Sequence, residues 1–211
     1  QCEEVRPYFE ILNQRRTSLL CKSIFDRVMA AGMLITLSPV FLVLAIMIKR
    51  DSEGEVFFRQ TRVTQYGRTF GIYKFRTMVK NAESLGAQVT SQNDMRVTKV
   101  GNMLRSCRLD ELPQLINILL GDMSFVGTRP EVPRYVAAYT DEMKATLLLP
   151  AGVTSAYKDE DQLLQNAQNV DEVYINEVLP GKMAWNLKSI KEFSFLQDIK
   201  TMIDTVLAVL R

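Results

Sequence analysis

Asp110 and Glu111 stand side by side in the stretch from Arg105 to Pro130, RSCRLDELPQLINILLGDMSFVGTRP, just after the basic residues Arg105 and Arg108. Leu112, Leu115, Ile116, Leu119 and Leu120 recur behind them at helical spacing, which predicts one core-facing stripe. Proline is tolerated in the first helical turn, where Pro113 falls, and Gly121 sits where a helix would end. Asp110 is therefore expected at or near a helix N-cap, where free backbone N–H groups and the macrodipole favour anions. Such a terminus is also a ready phosphate site. Two readings follow from the spacing: an ordinary Asp cap with a first-turn Glu, or a carboxylate pair held where a phosphorylated ligand binds.

The composition narrows the chemistry. The chain of 211 residues has no histidine, which removes Ser-His-Asp and Cys-His catalysis and the commonest zinc ligand. Acid–base or nucleophilic work must come from carboxylates, Lys, Tyr, Ser or Cys. Lys and Arg number 26 against 24 acidic residues, so no bulk charge points to nucleic acid. Cys2, Cys21 and Cys107 are odd in number and widely spaced, which argues against a disulfide framework and for a reducing compartment. The length allows one domain with a substantial core, or one domain plus an appended segment. The first residue is Gln rather than Met, so a native start further upstream is expected.

The elements that must position the pair can be read in order. Residues 1–21 form a lead of mixed character, irregular or helical. KSIFDR at 22–27 then introduces Val28–Ile48, 21 positions without a charge, which meets the length criterion for a membrane segment. Ser38-Pro39 interrupts its middle, where proline breaks the hydrogen-bond ladder. Lys22 and Arg27 precede it and Lys49 and Arg50 follow it, so the positive-inside tendency places both ends on the cytoplasmic side. A helix–break–helix over 22–50 that enters the membrane and returns satisfies both observations. Each arm would hold about ten residues, roughly 15 Å. A kinked full span and a buried core helix are the alternatives.

Glu55–Lys80 carries Arg59, Arg62, Arg68, Lys74, Arg76 and Lys80. Apolar runs flank Gln65-Tyr66-Gly67-Arg68, which predicts a hairpin. Its cations suit phosphates or lipid headgroups, or form a solvated basic face. Residues 81–93 read as a polar loop. VPRYVAAYTDEMKATLLL reads as one amphipathic helix ended by Pro150, YKDEDQLLQNA as another, with a turn at Pro180-Gly181 and a helical tail from Trp185 to Leu210.

DMRVTKVGNMLR with SCRLDELPQLINILLGDMSFVGTRP, preceded in order by KSIFDR, the Ser-Pro-interrupted run and FFRQTRVTQYGRTFGIYKFRTM, closely resembles the bacterial sugar transferases, the monotopic phosphoglycosyl transferases. The resemblance covers about residues 22–155. It implies an α+β, mostly helical fold: a re-entrant membrane helix-break-helix at 22–50, then a small catalytic domain with a β-hairpin over 51–211. That domain would lie on the cytoplasmic face of the bacterial inner membrane.

The implied reaction moves a sugar-1-phosphate from a UDP-sugar to undecaprenyl phosphate, with Mg²⁺ required and UMP released. It would begin exopolysaccharide, capsule, O-antigen or glycoprotein glycan assembly. By motif position Asp110 would be the covalent nucleophile and Glu111 its partner, both linked to the metal. Lys74, Arg105 and Arg129 would contact phosphate or nucleotide, with Arg76 on the same basic hairpin. Lys158 stands near an expected arginine, and Ser38-Pro39 matches the helix break. Membrane lipids, further copies of the chain and downstream glycosyltransferases are the implied partners.

Departures from the family pattern are Thr128 for the first proline of Pro-Arg-Pro, Arg108 for a serine, and Gly152-Val153-Thr154-Ser155 for Gly-Ile-Thr-Gly. The chemistry is self-consistent. Carboxylates form acyl phosphates once phosphate charge is neutralised, and Mg²⁺ takes oxygen ligands. Cationic neighbours at a helix start are expected to lower the Asp110 pKa. A membrane-anchored module that binds anionic lipid or nucleic acid without catalysis is the alternative.

Overall fold

The computed structural model describes residues 3–82, 94–154 and 170–209. The α+β, mostly helical class holds. After a 3-10 turn come α1 (Arg6–Gln14), α2 (Arg16–Thr36) and α3 (Ser38–Asp51). The hairpin β1 (Phe57–Val63) and β2 (Thr69–Phe75) follows, then α4 (Lys99–Ser106) and a 3-10 turn at Leu109–Glu111. Next are α5 (Gln114–Leu120), β3 (Met123–Val126), α6 (Pro133–Val136), a 3-10 helix at Met143–Leu148 and β4 (Ala151–Thr154). The chain closes with α7 (Val170–Val173), a π-helical segment at Tyr174–Val178, α8 (Leu179–Lys191) and α9 (Phe195–Val209).

The apolar run is broken one residue earlier than expected. Leu37 ends α2 and caps α3, and the two helices are bent by 63°. Pro39 falls in the first turn of α3 and has no N–H to give the carbonyl of Ile35, four residues back. The Ser38 hydroxyl donates to that carbonyl instead, at 2.8 Å. Thr36 Oγ1 covers the carbonyls of Gly32 and Met33, at 3.0 and 3.2 Å. Polar groups orphaned by the break are thus covered within a run that offers few other partners.

α2 starts at Arg16, inside the expected lead, so its 21 residues reach about 31 Å rather than 15 Å. A buried core helix is overturned by exposure: Val28, Ile35, Leu42, Val43 and Ile46 are all exposed, whereas Ala30, Leu44 and Ile48 are buried. Among the described residues no single helix is long and apolar enough to cross a membrane; the bent pair passes that test only together.

Between the bent pair and the rest lie two cores. Ala30 of α2 meets Phe70, Ile72, Leu115, Ile118, Met123 and Ala151, so α2, the hairpin, α5 and β3–β4 share one cluster. Leu44 and Ile48 of α3 meet Phe75 and Leu104. Asp51 accepts the Val100 N–H at 2.9 Å, and Thr98 Oγ1 accepts that of Gly101 at 2.9 Å, which caps α4 from both sides.

The hairpin is antiparallel with Phe57 opposite Phe75 and Val63 opposite Thr69. Its turn holds Tyr66 and Gly67 at positive φ. A second, parallel two-stranded sheet pairs β3 with β4, from Met123 opposite Ala151 to Val126 opposite Thr154.

The stripe expected on α5 is rotated. Leu115 and Ile118 are buried with Gln114 and Asn117, while Leu119 and Leu120 are exposed. Asn117 decides the rotation. Its Oδ1 accepts the Tyr73 N–H at 2.9 Å and its Nδ2 donates to the Gly71 carbonyl at 3.0 Å, so α5 is docked by amide pairing with β2. Gly121 then ends α5 at φ +84, where an added Cβ would lie 2.5 Å from the Arg27 guanidinium.

Two further expectations change. VPRYVAAYTDEMKATLLL is no single helix: α6 stops at Val136 and a 3-10 helix begins at Met143. Tyr139 is buried in the intervening turn, and Thr140 Oγ1 accepts the Met143 N–H at 3.3 Å. The chain does not turn at Pro180-Gly181 either. Pro180 occupies the first turn of α8, directly after the π segment, where a widened ladder absorbs its missing N–H. YKDEDQLLQNA and most of 81–93 lie outside the described residues.

Replacing Asn117 by Leu leaves the Tyr73 N–H and the Gly71 carbonyl buried without partners. The expected cost is about 2–4 kcal/mol, read as a lower denaturation midpoint in detergent. An unchanged midpoint would show that the amide is dispensable for docking α5.

Candidate active site

Four elements distant in sequence converge on Asp110 and Glu111. α4 ends at Ser106, and Arg108 in the left-handed region (φ +55) redirects the chain into the 3-10 turn that carries the pair. The expected N-cap is not formed. Asp110 lies in the 3-10 turn, the cap position of α5 is Pro113, and no side chain caps that helix.

Glu111 Oε1 accepts from Lys74 Nζ of β2 at 3.0 Å and from Arg129 Nη2 at 2.7 Å. Arg129 follows β3, in a turn clamped against β4. The Gly127 N–H donates to the Thr154 carbonyl at 3.2 Å and the Gly152 N–H to the Thr128 carbonyl at 2.8 Å. The clamp depends on bare backbones, because a Cβ on Gly152 would lie 2.2 Å from the Gly127 nitrogen. Arg105 Nε donates to the buried Thr77 Oγ1 at 2.8 Å, which orients its guanidinium within electrostatic reach of Asp110.

The two carboxylates are electrostatically unlike. Burial alone would raise Glu111, but Arg129 and Lys74 outweigh it and hold the carboxyl at about 2. Asp110 is pushed above the ordinary carboxylate range, first by burial and then by the neighbouring Glu111 charge, against the pull of Lys74 and Arg105. The depression expected for Asp110 falls on its neighbour, because Asp110 forms no ion pair with any described residue.

Arg76 is not brought to the pair. Its guanidinium donates to the Ser52 carbonyl at 2.7 Å, and to those of Ile48 and Glu53, at the end of α3. A residue just past the end of β2 clasps the free carbonyls of a helix C-terminus there. Lys158 lies outside the described residues.

No group of three or more metal-ligating side chains occurs among the described residues. Two adjacent carboxylates with oxygen-only donors still fit Mg²⁺, which keeps several waters and takes substrate phosphate oxygens. A cavity of about 1000 Å³, whose lining includes Arg16, Lys22, Asp26, Trp185 and Thr128, excludes the pair itself. Its wall reaches to within one residue of Arg129.

Sequence reasoning missed Glu131 and its partners. Glu131 is 4% exposed, and its Oε1 accepts from Lys182 Nζ and Tyr174 Oη, both at 2.7 Å. Lys182 lies 51 residues downstream, so no local pattern announces the pair. A legible signal was present in KSIFDR: Lys22 and Asp26, four residues apart, are both buried. Lys22 pairs with Asp198 of α9 at 2.6 Å, and Ser124 of β3 donates to Asp26 at 2.6 Å.

Residues 17–211 match the model of a family described as bacterial sugar transferase. A UDP-N-acetylgalactosamine-undecaprenyl-phosphate N-acetylgalactosaminephosphotransferase of Aeromonas hydrophila is 49% identical over 106 residues, covering 50% of this chain and 25% of that protein. A UDP-glucose:undecaprenyl-phosphate glucose-1-phosphate transferase of Escherichia coli K12 is 36% identical over 196 residues, 89% of this chain and 39% of that protein. An exopolysaccharide production protein of Sinorhizobium fredii is 32% identical over 205 residues, 90% and 85% of the two chains. The chain spans 25% to 39% of the length of the first two relatives.

The low Glu111 pKa has a stability consequence. A carboxyl moved from 4.5 to about 2 on folding adds stability that is complete above pH 4.5 and is lost as pH falls toward 2. In metal-free buffer, Glu111→Gln is expected to lower stability at neutral pH by about 2–3 kcal/mol. The difference from wild type should shrink across that window. A difference that stays constant from pH 6 to pH 2.5 would contradict the ion-pair assignment.

Proposed function

The chain belongs to the bacterial sugar transferase family, and on that premise we propose that it transfers a sugar-1-phosphate from a UDP-sugar to undecaprenyl phosphate and releases UMP. The reaction is the first membrane step of glycan assembly. One observation carries the reading: Glu111 is ion-paired by Lys74 and Arg129 from two separate elements, with Asp110 directly beside it and in no such pair among the described residues. A lipid-binding surface needs cations but has no use for a half-buried carboxylate between them.

Asp110 is the nucleophile. A carboxylate oxygen attacks the sugar-linked phosphorus; the bond from that phosphorus to the bridging oxygen breaks, and UMP departs with the oxygen. The phosphate oxygen of undecaprenyl phosphate then attacks the same phosphorus and releases Asp110, leaving a polyprenyl diphosphate sugar. Phosphoryl transfer of this kind asks mainly for position and charge stabilisation. Arg129, half-buried and paired with Glu111, brings to the site a guanidinium, the group suited to bidentate phosphate binding. Lys74 supplies a second charge from the hairpin, and Arg105 helps keep Asp110 ionised. Asp110 and Glu111 would hold Mg²⁺, which neutralises diphosphate charge when bound.

The bent α2–α3 pair supports a re-entrant anchor at the cytoplasmic face of the inner membrane. Its exposed apolar side chains lie in lipid, and Lys49 and Arg50 in the last turn of α3 return to the headgroups. Such an anchor would hold a site for a soluble nucleotide sugar at the level of the acceptor phosphate.

Asp110→Asn should abolish UMP release, by at least 10³-fold on the order expected for a lost nucleophile, while the folded signal in circular dichroism is kept. Near-normal turnover would remove Asp110 from the role. A panel of UDP-sugars with Mg²⁺ and undecaprenyl phosphate identifies the donor, and silence of the wild type across that panel would sink the activity itself. For topology, single cysteines at Arg27 and Arg50 in a background lacking Cys2, Cys21 and Cys107 should label from the same side of oriented vesicles. Labelling from opposite sides would refute the re-entrant anchor.

A further inference from the structure

Lys182, Tyr174 and Glu131 form a closed triangle of buried polar atoms. Lys182 Nζ and Tyr174 Oη both donate to Glu131 Oε1 at 2.7 Å, and Lys182 Nζ donates to Tyr174 Oη at 2.9 Å. The three residues are 1%, 5% and 4% exposed, respectively. A buried ion pair is weak evidence for stability, because apolar side chains of similar volume usually serve as well. What such a pair fixes well is geometry, and the geometry here belongs to Arg129.

Glu131 is two residues from Arg129 across Pro130, whose ring locks one backbone angle. The backbone of this short stalk is held on both sides of Arg129. The Pro130 carbonyl accepts from Arg62 Nη1 at 3.2 Å, and the Glu131 carbonyl accepts the Val63 N–H at 2.9 Å. On the other side the Thr128 carbonyl is held by Gly152. The Glu131 side chain reaches the C-terminal helices, where Tyr174 lies in the π segment and Lys182 in the first turns of α8. Tyr135, four residues past Glu131, stacks on the Tyr174 ring at 4.4 Å between centroids and closes the arrangement from α6.

We propose that Lys182 and Tyr174 are positioning residues that set the placement of Arg129 against Glu111 by gripping Glu131. The C-terminal helices thereby take part in the site without touching the substrate. The catalytic consequence rests on the transferase reading above; the positional one does not.

The test uses the full chain in nanodiscs and two readouts. The first is the rate at which phenylglyoxal modifies Arg129, followed on the peptide by mass spectrometry. Lys182→Met combined with Glu131→Gln removes both buried charges together and should raise that rate severalfold, toward the rate in Glu111→Gln, where the Arg129 tether is gone. Lys182→Arg should restore the slow rate. An Arg129 rate equal to wild type in the paired variant overturns the proposal whether or not any sugar turns over.

The second readout is UMP release. The paired variant should lose about 10–100-fold in kcat, with the donor KM less affected. Added to Arg129→Gln, it should cost no more than about 2-fold further, because coupled residues are not additive. Losses that multiply in full would assign the triangle a role independent of Arg129. Circular dichroism in the same nanodiscs checks folding. If the paired variant does not fold, Tyr174→Phe, which removes one hydroxyl, is carried through both readouts with the same directions expected and the same results overturning the idea.

Discussion

One carboxylate oxygen holds the site together. Lys74 and Arg129 carry like charges, and without Glu111 between them they would repel. With Glu111 in place, the hairpin, the 3-10 turn after α4 and the turn after β3 must arrive together. That requirement reaches into the fold. Asn117 fixes β2 on α5 so that Lys74 has a defined origin, and Gly127 and Gly152 let β3 and β4 approach closely enough to aim Arg129. The neighbouring residue experiences a different environment. Asp110 is buried too, but it forms no ion pair among the described residues, so the two adjacent carboxyls are pushed in opposite directions. Pairs of titratable groups driven apart in this way are what an acid or nucleophile and its partner require.

The break at Leu37 meets a comparable constraint with short-range means. A proline in an apolar run leaves a carbonyl without its donor, and in surroundings poor in hydrogen-bonding partners that is costly. Ser38 sits one residue before the proline, within reach of the carbonyl that Pro39 cannot serve, and Thr36 covers the turn before it. The bend is therefore a built feature with its polar groups satisfied. Its two arms are unequal because α2 runs on past the uncharged stretch into Lys22 and Asp26, which face the C-terminal helix and β3.

Much of this was legible in the sequence, and the reasons differ by residue. The hairpin and its turn followed from the apolar runs that flank Gln65-Tyr66-Gly67-Arg68. The end of α5 followed from Gly121, and the broken apolar run followed from Ser38-Pro39. Lys74, Arg105 and Arg129 could be nominated because their types and order matched a family pattern. Arg76 could not be separated from them, since a guanidinium that clasps a helix end looks the same in sequence as one that awaits a phosphate. The rotation of α5 was hidden because an asparagine among leucines reads as a polar position, whereas here it is the docking side chain. The π segment before Pro180 was hidden for a related reason: a proline next to a glycine ordinarily signals a turn, and only tertiary packing of Tyr174 and Val178 overrides it. Pairing of Glu131 with Lys182 is a long-range fact that no local period encodes.

A two-stranded ribbon has two open edges, and each is a template for another chain to add a strand. In this ribbon the outer rim of β2 is occupied where Asn117 imitates a peptide unit, accepting one N–H and donating to one carbonyl. The opposite rim is closed at its end by the Glu131 carbonyl on Val63. The same contacts that orient Lys74 and Arg129 therefore also blunt the hairpin against self-association.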